Sequence, residues 1–167
     1  MTNWRAMGFG PRIIARHAIR KRTPRTITKW QKGKAMTHLV ATCSCGQLSA
    51  RCEGPPIRVT VCHCHACQRR TGSAFSANAR YDRTRVTIAG AAQTFTRIGD
   101  EGSRIIQSFC PVCGATVHYW IEGMPEMIAI PVGGFADQTF PAPTVSVYCL
   151  RQMPWVEITA DPLARDD

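Results

Sequence analysis

Seven of the nine cysteines in this 167-residue chain fall into three tight clusters, Cys43/Cys45, Cys62/Cys64/Cys67 and Cys110/Cys113. Such clustering restricts the fold strongly. In an extended strand alternate side chains share a face, so Cys43 and Cys45 can turn both sulfurs toward one point, as can Cys62 and Cys64. Cys110-Pro111-Val112-Cys113-Gly114 has the two-residue gap and trailing glycine of a metal knuckle. There a tight turn brings two thiolates together, and the glycine permits a positive φ. Soft thiolates in tetrahedral array select zinc over hard-ligand cations; iron, the lesser alternative, would be expected in a more characteristic cysteine run.

Cys43, Cys45, Cys110 and Cys113 together make a complete four-thiolate set, and a structural zinc held there would tie the first strand to a distant one. The middle cluster, Cys62-His63-Cys64-His65-Ala66-Cys67, offers three thiolates and two imidazoles. A three-ligand zinc keeps one tetrahedral position for water or substrate, the mark of a catalytic site. The alternatives are that His65 closes the site as a fourth ligand, or that the seven cysteines group differently. His63 alternates onto the opposite strand face and reads as an orienting or core histidine. Cys52 and Cys149 lie outside the clusters and read as small buried hydrophobes. His38 and His118 sit in β runs as packing residues.

The net charge of +10 belongs to one end of the chain. Residues 1–35 carry ten basic side chains and no acidic one, whereas the remainder has eleven of each sign and is neutral. A basic surface favours phosphate contacts, so nucleic acid is expected, if at all, only through this segment. Its apolar residues show no period, which suggests a solvated, unfolded extension. A transit peptide, a phosphate-binding arm and an over-extended gene start are the three readings of it. The last is favoured because Met36 immediately precedes a strand-like run. Residues 36–167 then form one domain. No apolar stretch approaches the roughly 20 residues of a membrane helix, and an odd number of cysteines with no apolar leader points to reduced thiols in the cytoplasm.

From Met36 onward the pattern is mainly β. Runs near 38–43, 47–52, 57–62, 75–80, 85–88, 93–97, 104–109, 115–121, 127–132, 144–149 and 155–159 are separated by Gly, Pro and Asp, as hairpins require. One helical turn is expected at Ala66–Arg70, and fraying over Leu163–Asp167.

Four segments resemble the glutathione-dependent formaldehyde-activating enzyme family, which includes centromere protein V. They are Cys43-Ser44-Cys45-Gly46, the run from Cys62 through Gln68-Arg69-Arg70-Thr71-Gly72-Ser73-Ala74 to Phe75, Phe109-Cys110-Pro111-Val112-Cys113-Gly114, and Met153-Pro154-Trp155-Val156. The resemblance spans about residues 39–159. It implies a single zinc-stapled β domain of the β-tent type, shared with a Rab-binding chaperone family. It also implies a structural zinc at Cys43, Cys45, Cys110 and Cys113, and a second zinc at Cys62, Cys64 and Cys67. The activity implied is a carbon–sulfur lyase reaction joining formaldehyde to the thiol of glutathione. Metal coordination lowers a thiol pKa or polarises an aldehyde, which suits that chemistry. Arg69 and Arg70 are candidates for pairing with glutathione carboxylates, against the alternative of a solvated surface pair. Gly72 and Phe75 read as turn and packing residues. One departure is Ser146, where members often carry a histidine. The rival reading is a non-catalytic zinc-stabilised binding module.

Overall fold

Short β-branched and aromatic runs that alternate apolar and polar side chains can bury one face each, and runs of this kind supply most of the chain's eleven strands. These are β1 (Leu39–Thr42), β2 (Ser49–Cys52), β3 (Arg58–Cys62), β4 (Ser76–Asp82), β5 (Val86–Ala89), β6 (Gln93–Ile98), β7 (Arg104–Phe109), β8 (Thr116–Ile121), β9 (Met124–Pro131), β10 (Val145–Val147) and β11 (Ala164–Asp166). The helix α1 spans His65–Thr71. The computed structural model describes residues 38–167, within the compact unit Ala35–Asp167. The expectations for the basic segment, and for a start at Met36, lie outside the described residues.

The strands form two sheets, one in the order β1-β2-β5 and one in the order β11-β10-β3-β4-β9-β8-β7-β6. Pairing is antiparallel except where β10 runs parallel to both β3 and β11. The chain is therefore mainly β, as its sequence pattern implies.

The apolar core joins the two sheets. Ala41, Leu48, Ala50 and Cys52 from the small sheet and its hairpin meet Val59, Ala79, Tyr81, Val117, Ile128 and Ile130 from the large one. Register explains the set: Val59 opposes Ala79, which opposes Ile130, and Tyr81 opposes Ile128. Burying a side chain such as Leu48 or Ile130 completely stabilises the fold by roughly 1.5–3 kcal/mol. Phe135 closes the end of this core, 6.4 Å from the ring of Tyr81 and stacked on Phe140 at 4.6 Å.

The opposite face of the large sheet follows from the same register. Arg58, Thr60 and Cys62 alternate along β3 and stand opposite Arg80, Asn78 and Ser76 of β4. Arg80 in turn opposes Ala129, and Ala129 opposes Tyr119. The small Ala129 leaves room for the Arg80 guanidinium to lie 5.6 Å from the Tyr119 ring centroid, two strands away.

Two expectations need correction near the carboxyl end. The run at 155–159 is not a strand: Val156 N–H bonds back to Met153 O at 2.9 Å in a turn, with Val156 buried and Trp155 75% exposed. Residues 164–166, expected to fray, instead pair with β10 as β11. Their sequence, Ala-Arg-Asp, has no strand signature, so the order comes from the edge that β10 offers and not from local propensity.

Candidate metal centres and cavity

The first cluster is built by two turns. Cys43 and Cys45 follow β1, and Leu48 N–H donates to Cys43 Sγ at 3.2 Å. Cys110 and Cys113 sit in the turn between β7 and β8, where Gly114 takes φ +74° and its N–H bonds Cys110 O at 2.9 Å. Val112 N–H and the Gln47 side-chain amide donate to Cys110 Sγ at 3.4 and 3.1 Å. The four sulfurs lie within 4.8 Å of one another, with Cys43–Cys45 and Cys45–Cys110 separations of 3.6 Å. Zinc–sulfur arms of about 2.3 Å give tetrahedral edges of about 3.8 Å, so this four-thiol cage fits a metal ion of that size. The sulfurs are too far apart for a disulfide, which needs about 2.05 Å.

Gln47 also brackets the backbone of Ala91, donating to its oxygen at 2.7 Å and accepting from its nitrogen at 3.1 Å. This clamp depends on Gly90, where φ is +98° and an added Cβ would meet Gln47 O at 1.8 Å and Leu48 Cα at 2.9 Å. Both neighbours are backbone and cannot yield. Gly90→Ala is expected to cost at least about 2 kcal/mol of stability. Chemical denaturation measures this, and an unchanged midpoint would exclude the clamp as a structural requirement.

The second cluster joins a strand end to a helix start. Cys62 ends β3, Cys64 is the N-cap of α1 with its sulfur accepting from Cys67 N–H at 3.4 Å, and Cys67 lies in the first turn. All three thiols are buried and their sulfurs lie within 4.8 Å of one another. Hydrogen bonds from Cys62 and Cys67 hold the Cys64 thiol well below the usual range, while donation to Cys64 drives Cys62 far up. Three sulfurs this close cannot all ionise beside one another unless a cation sits among them, so the donor set fits a thiophilic metal. Among the described residues no fourth ligand completes the group. His65 is exposed and stands outside it.

His63 is fully buried, as a core histidine would be. Its Nε2 lies 3.1 Å from Ser146 Oγ, its ring 6.0 Å from that of Phe75, and burial lowers its pKa. Cys149 Sγ, half-buried, donates to Ser146 O at 3.4 Å and is as near to its Oγ. Cys52 lies in the apolar core, and His118 is half-buried on β8. His38, at the exposed edge, is 3.3 Å from Arg51 Nη2.

Cys62, Cys64 and Cys67 open on a cavity of about 300 Å³ on the polar face of the large sheet. Arg58, Arg80 and Arg97 line it together with Tyr119, and Glu101 and Tyr148 stand at another wall, bonded Oη to Oε1 at 3.4 Å. Neither Arg69 nor Arg70 is among the lining residues. Arg69 is exposed. Arg70 donates to Ser76 Oγ at 2.5 Å and Asn78 Oδ1 at 3.4 Å and stacks over Tyr119 at 5.3 Å. The arginines that do face the cavity were missed because each is an isolated residue in its run. The signal was nonetheless present: Arg58-x-Thr60-x-Cys62 and Ser76-x-Asn78-x-Arg80 put polar side chains on the cysteine-bearing face.

Comparison with known proteins agrees with the motif resemblance. A solved structure of a Rhodobacter sphaeroides protein, a structural-genomics target, is similar at 21% identity and a TM-score of 0.47, over 57% of this chain and 86% of that one. Among curated proteins none matches. The family model described as glutathione-dependent formaldehyde-activating enzyme matches residues 38–151. With both cysteine sets and most of the cavity lining inside that span, the chain belongs to the glutathione-dependent formaldehyde-activating enzyme family.

Proposed function

We propose that the protein is a zinc-dependent carbon–sulfur lyase that joins a small aldehyde such as formaldehyde to the thiol of glutathione or a related thiol, and releases it again. The observation that carries this reading is the buried group Cys62, Cys64 and Cys67, which lacks a fourth ligand among the described residues and opens on a cavity large enough for a small peptide. In this reading Cys43, Cys45, Cys110 and Cys113 hold a structural zinc and the three-cysteine group holds a second. The second ion, when bound, supplies Lewis acidity that keeps a substrate thiol ionised at neutral pH.

The chain's own residues supply the rest. Thiol–thiol hydrogen bonds dominate the shifts at Cys64, which is lowered, and Cys67, which is raised; beside them the charges of Arg97 near Cys64 and Arg70 near Cys67 help to offset the negative charge of three thiolates. In the forward reaction the thiol S–H bond breaks and a sulfur–carbon bond forms. The carbonyl π pair becomes an alkoxide, which takes up the proton released from sulfur. Glu101 and Tyr148 are placed to carry that proton across the cavity. The free thiols suit a reducing compartment such as the cytoplasm.

The rival, a non-catalytic module, has the second site closed or empty, and the exposure of His65 speaks against closure. The test combines metal analysis of purified protein with exchange NMR of glutathione and formaldehyde. Two zinc ions per chain and faster interconversion with S-hydroxymethylglutathione are expected. One zinc, or a rate equal to the uncatalysed one, would refute the proposal.

A further inference from the structure

Arg58 and Arg80 stand directly opposite each other across β3 and β4, on the face that lines the cavity. Like charges in that relation repel, at about 5 Å between Cβ atoms. Arg80 is only 9% exposed, and its Nε is sealed from solvent with no hydrogen-bond partner. An arginine cannot escape burial by losing its proton. A carboxylate would be the ordinary remedy, yet neither residue has one. Among the described residues the ion pairs are Arg104–Glu122 and Arg151–Asp100. Of the acids that line the cavity, Asp100 is held by Arg151 and Glu101 accepts from Tyr148, while Asp166 and Asp167 pair with neither arginine. The Tyr119 ring, 5.6 Å from the Arg80 guanidinium, compensates only in part. Thr60, the next residue on this face toward Cys62, also has a buried hydroxyl without a partner. A buried cation without a counterion, an exposed one opposite it and a buried hydroxyl without a partner thus converge on one stretch of cavity wall.

We propose that Arg58, Arg80 and Thr60 form an anion subsite that receives a carboxylate of the bound thiol. The inference rests on the reading above, in which the thiol lies against Cys62, Cys64 and Cys67. It makes the cavity selective for molecules that carry both groups at a set separation. Arg58 stands four residues from Cys62 on one strand face, about 13 Å at the rise of a strand. With the reach of the guanidinium, a thiol of tripeptide size spans the interval and a two-carbon thiol does not. Anion binding would then fill the place that the fold leaves without a counterion.

The test is calorimetric binding to the zinc-loaded full chain, with three probes: glutathione, S-methylglutathione, and glutathione diethyl ester, which lacks both carboxylates. S-methylglutathione is expected to bind the wild type and to bind Arg80→Gln and Arg58→Gln about 10- to 100-fold more weakly, the effect of losing a charged hydrogen bond. The diethyl ester is expected to bind all three proteins equally weakly. Arg80→Gln, relieved of a buried charge without a counterion, is expected to melt above the ligand-free wild type, and Arg58→Gln, changed at an exposed position, to melt close to it. Equal binding of S-methylglutathione to wild type and both variants would overturn the subsite, as would its failure to bind the wild type. So would a lower melting temperature in both variants, which would assign the guanidiniums to the fold. If glutathione and S-methylglutathione bind the wild type equally and both depend on the arginines, the subsite stands and the thiol–metal reading fails.

Discussion

Cys110→Ser is expected to leave no folded domain at physiological temperature. Cys110 is fully buried, accepts two N–H donors through its sulfur and stands 3.6 Å from Cys45 Sγ, a residue 65 positions earlier in the chain. Its cluster joins the hairpin after β1 to the turn between β7 and β8, so it fastens the small sheet to the large one. Structural zinc sites contribute about 10–16 kcal/mol of apparent binding free energy, as much as the roughly 5–15 kcal/mol of net stability that a domain possesses. Serine is a poor zinc ligand, and it leaves three thiolates crowded together with no cation to hold them. Insoluble or protease-sensitive protein, a lost β signature in far-ultraviolet circular dichroism and a zinc content lowered by at least one ion are the expected results. Stripping zinc from the wild type with a strong chelator should reproduce the loss, and returning zinc should reverse it. A cooperative melt close to that of the wild type would show that hydrophobic burial alone carries the domain.

The contrast between the two cysteine sets was legible in the sequence because metal ligation imposes fixed geometry over short separations. A Cys-x-x-Cys-Gly turn permits few conformations, and the positive φ of Gly114 is the one the motif requires; the Cys-x-Cys pairs, expected on strands, instead lie in the turn after β1 and across the junction from β3 to α1. Ten of the eleven strands overlap runs read as β in the sequence, though β4, β5, β6 and β9 extend past the ends of theirs, and α1 contains the helical turn read at Ala66–Arg70. The failures have a common cause. β11 forms from Ala164, Arg165 and Asp166 because β10 presents an unpaired edge, and a sequence does not show which edge will be vacant. Residues 155–159 have an apolar, strand-like composition but find no partner, and composition without a partner makes no ladder. The cavity wall was obscured in the same way. Arg58, Arg80, Arg97 and Tyr119 come from four different strands, and only the sheet order β3-β4-β9-β8-β7-β6 turns them toward one space. Arg69 and Arg70, next to Cys67 in sequence, looked better placed. A helix turns successive residues by about 100°, which leaves Arg69 in solvent and sends Arg70 to Ser76 and Asn78.

Cys64→Ser separates chemistry from folding at the second cluster, and the structure explains why this position is the right one. Cys64 does two things: it contributes a sulfur to the three-thiol group, and that sulfur caps α1 by accepting from Cys67 N–H. Serine is among the best helix N-caps, so the substitution keeps the start of α1 while removing a soft metal ligand. The fold loses little else there, since among the described residues the partly buried apolar ones packed against this cluster are Ala66, Val147 and Tyr148. The expected variant is therefore soluble, melts near the wild-type temperature and binds one zinc ion where, on the proposed reading, two are expected in the wild type. Its rate of thiol–aldehyde exchange is expected to fall at least about 1000-fold, in line with the several kcal/mol that a catalytic metal supplies to charge stabilisation. Zinc analysis, thermal melting and the exchange assay give three independent readings of one protein. A folded variant that loses one zinc ion but retains its rate would move the chemistry away from Cys62, Cys64 and Cys67. A variant that loses its fold would make the second cluster a staple like the first, and the open coordination position would then have no catalytic meaning.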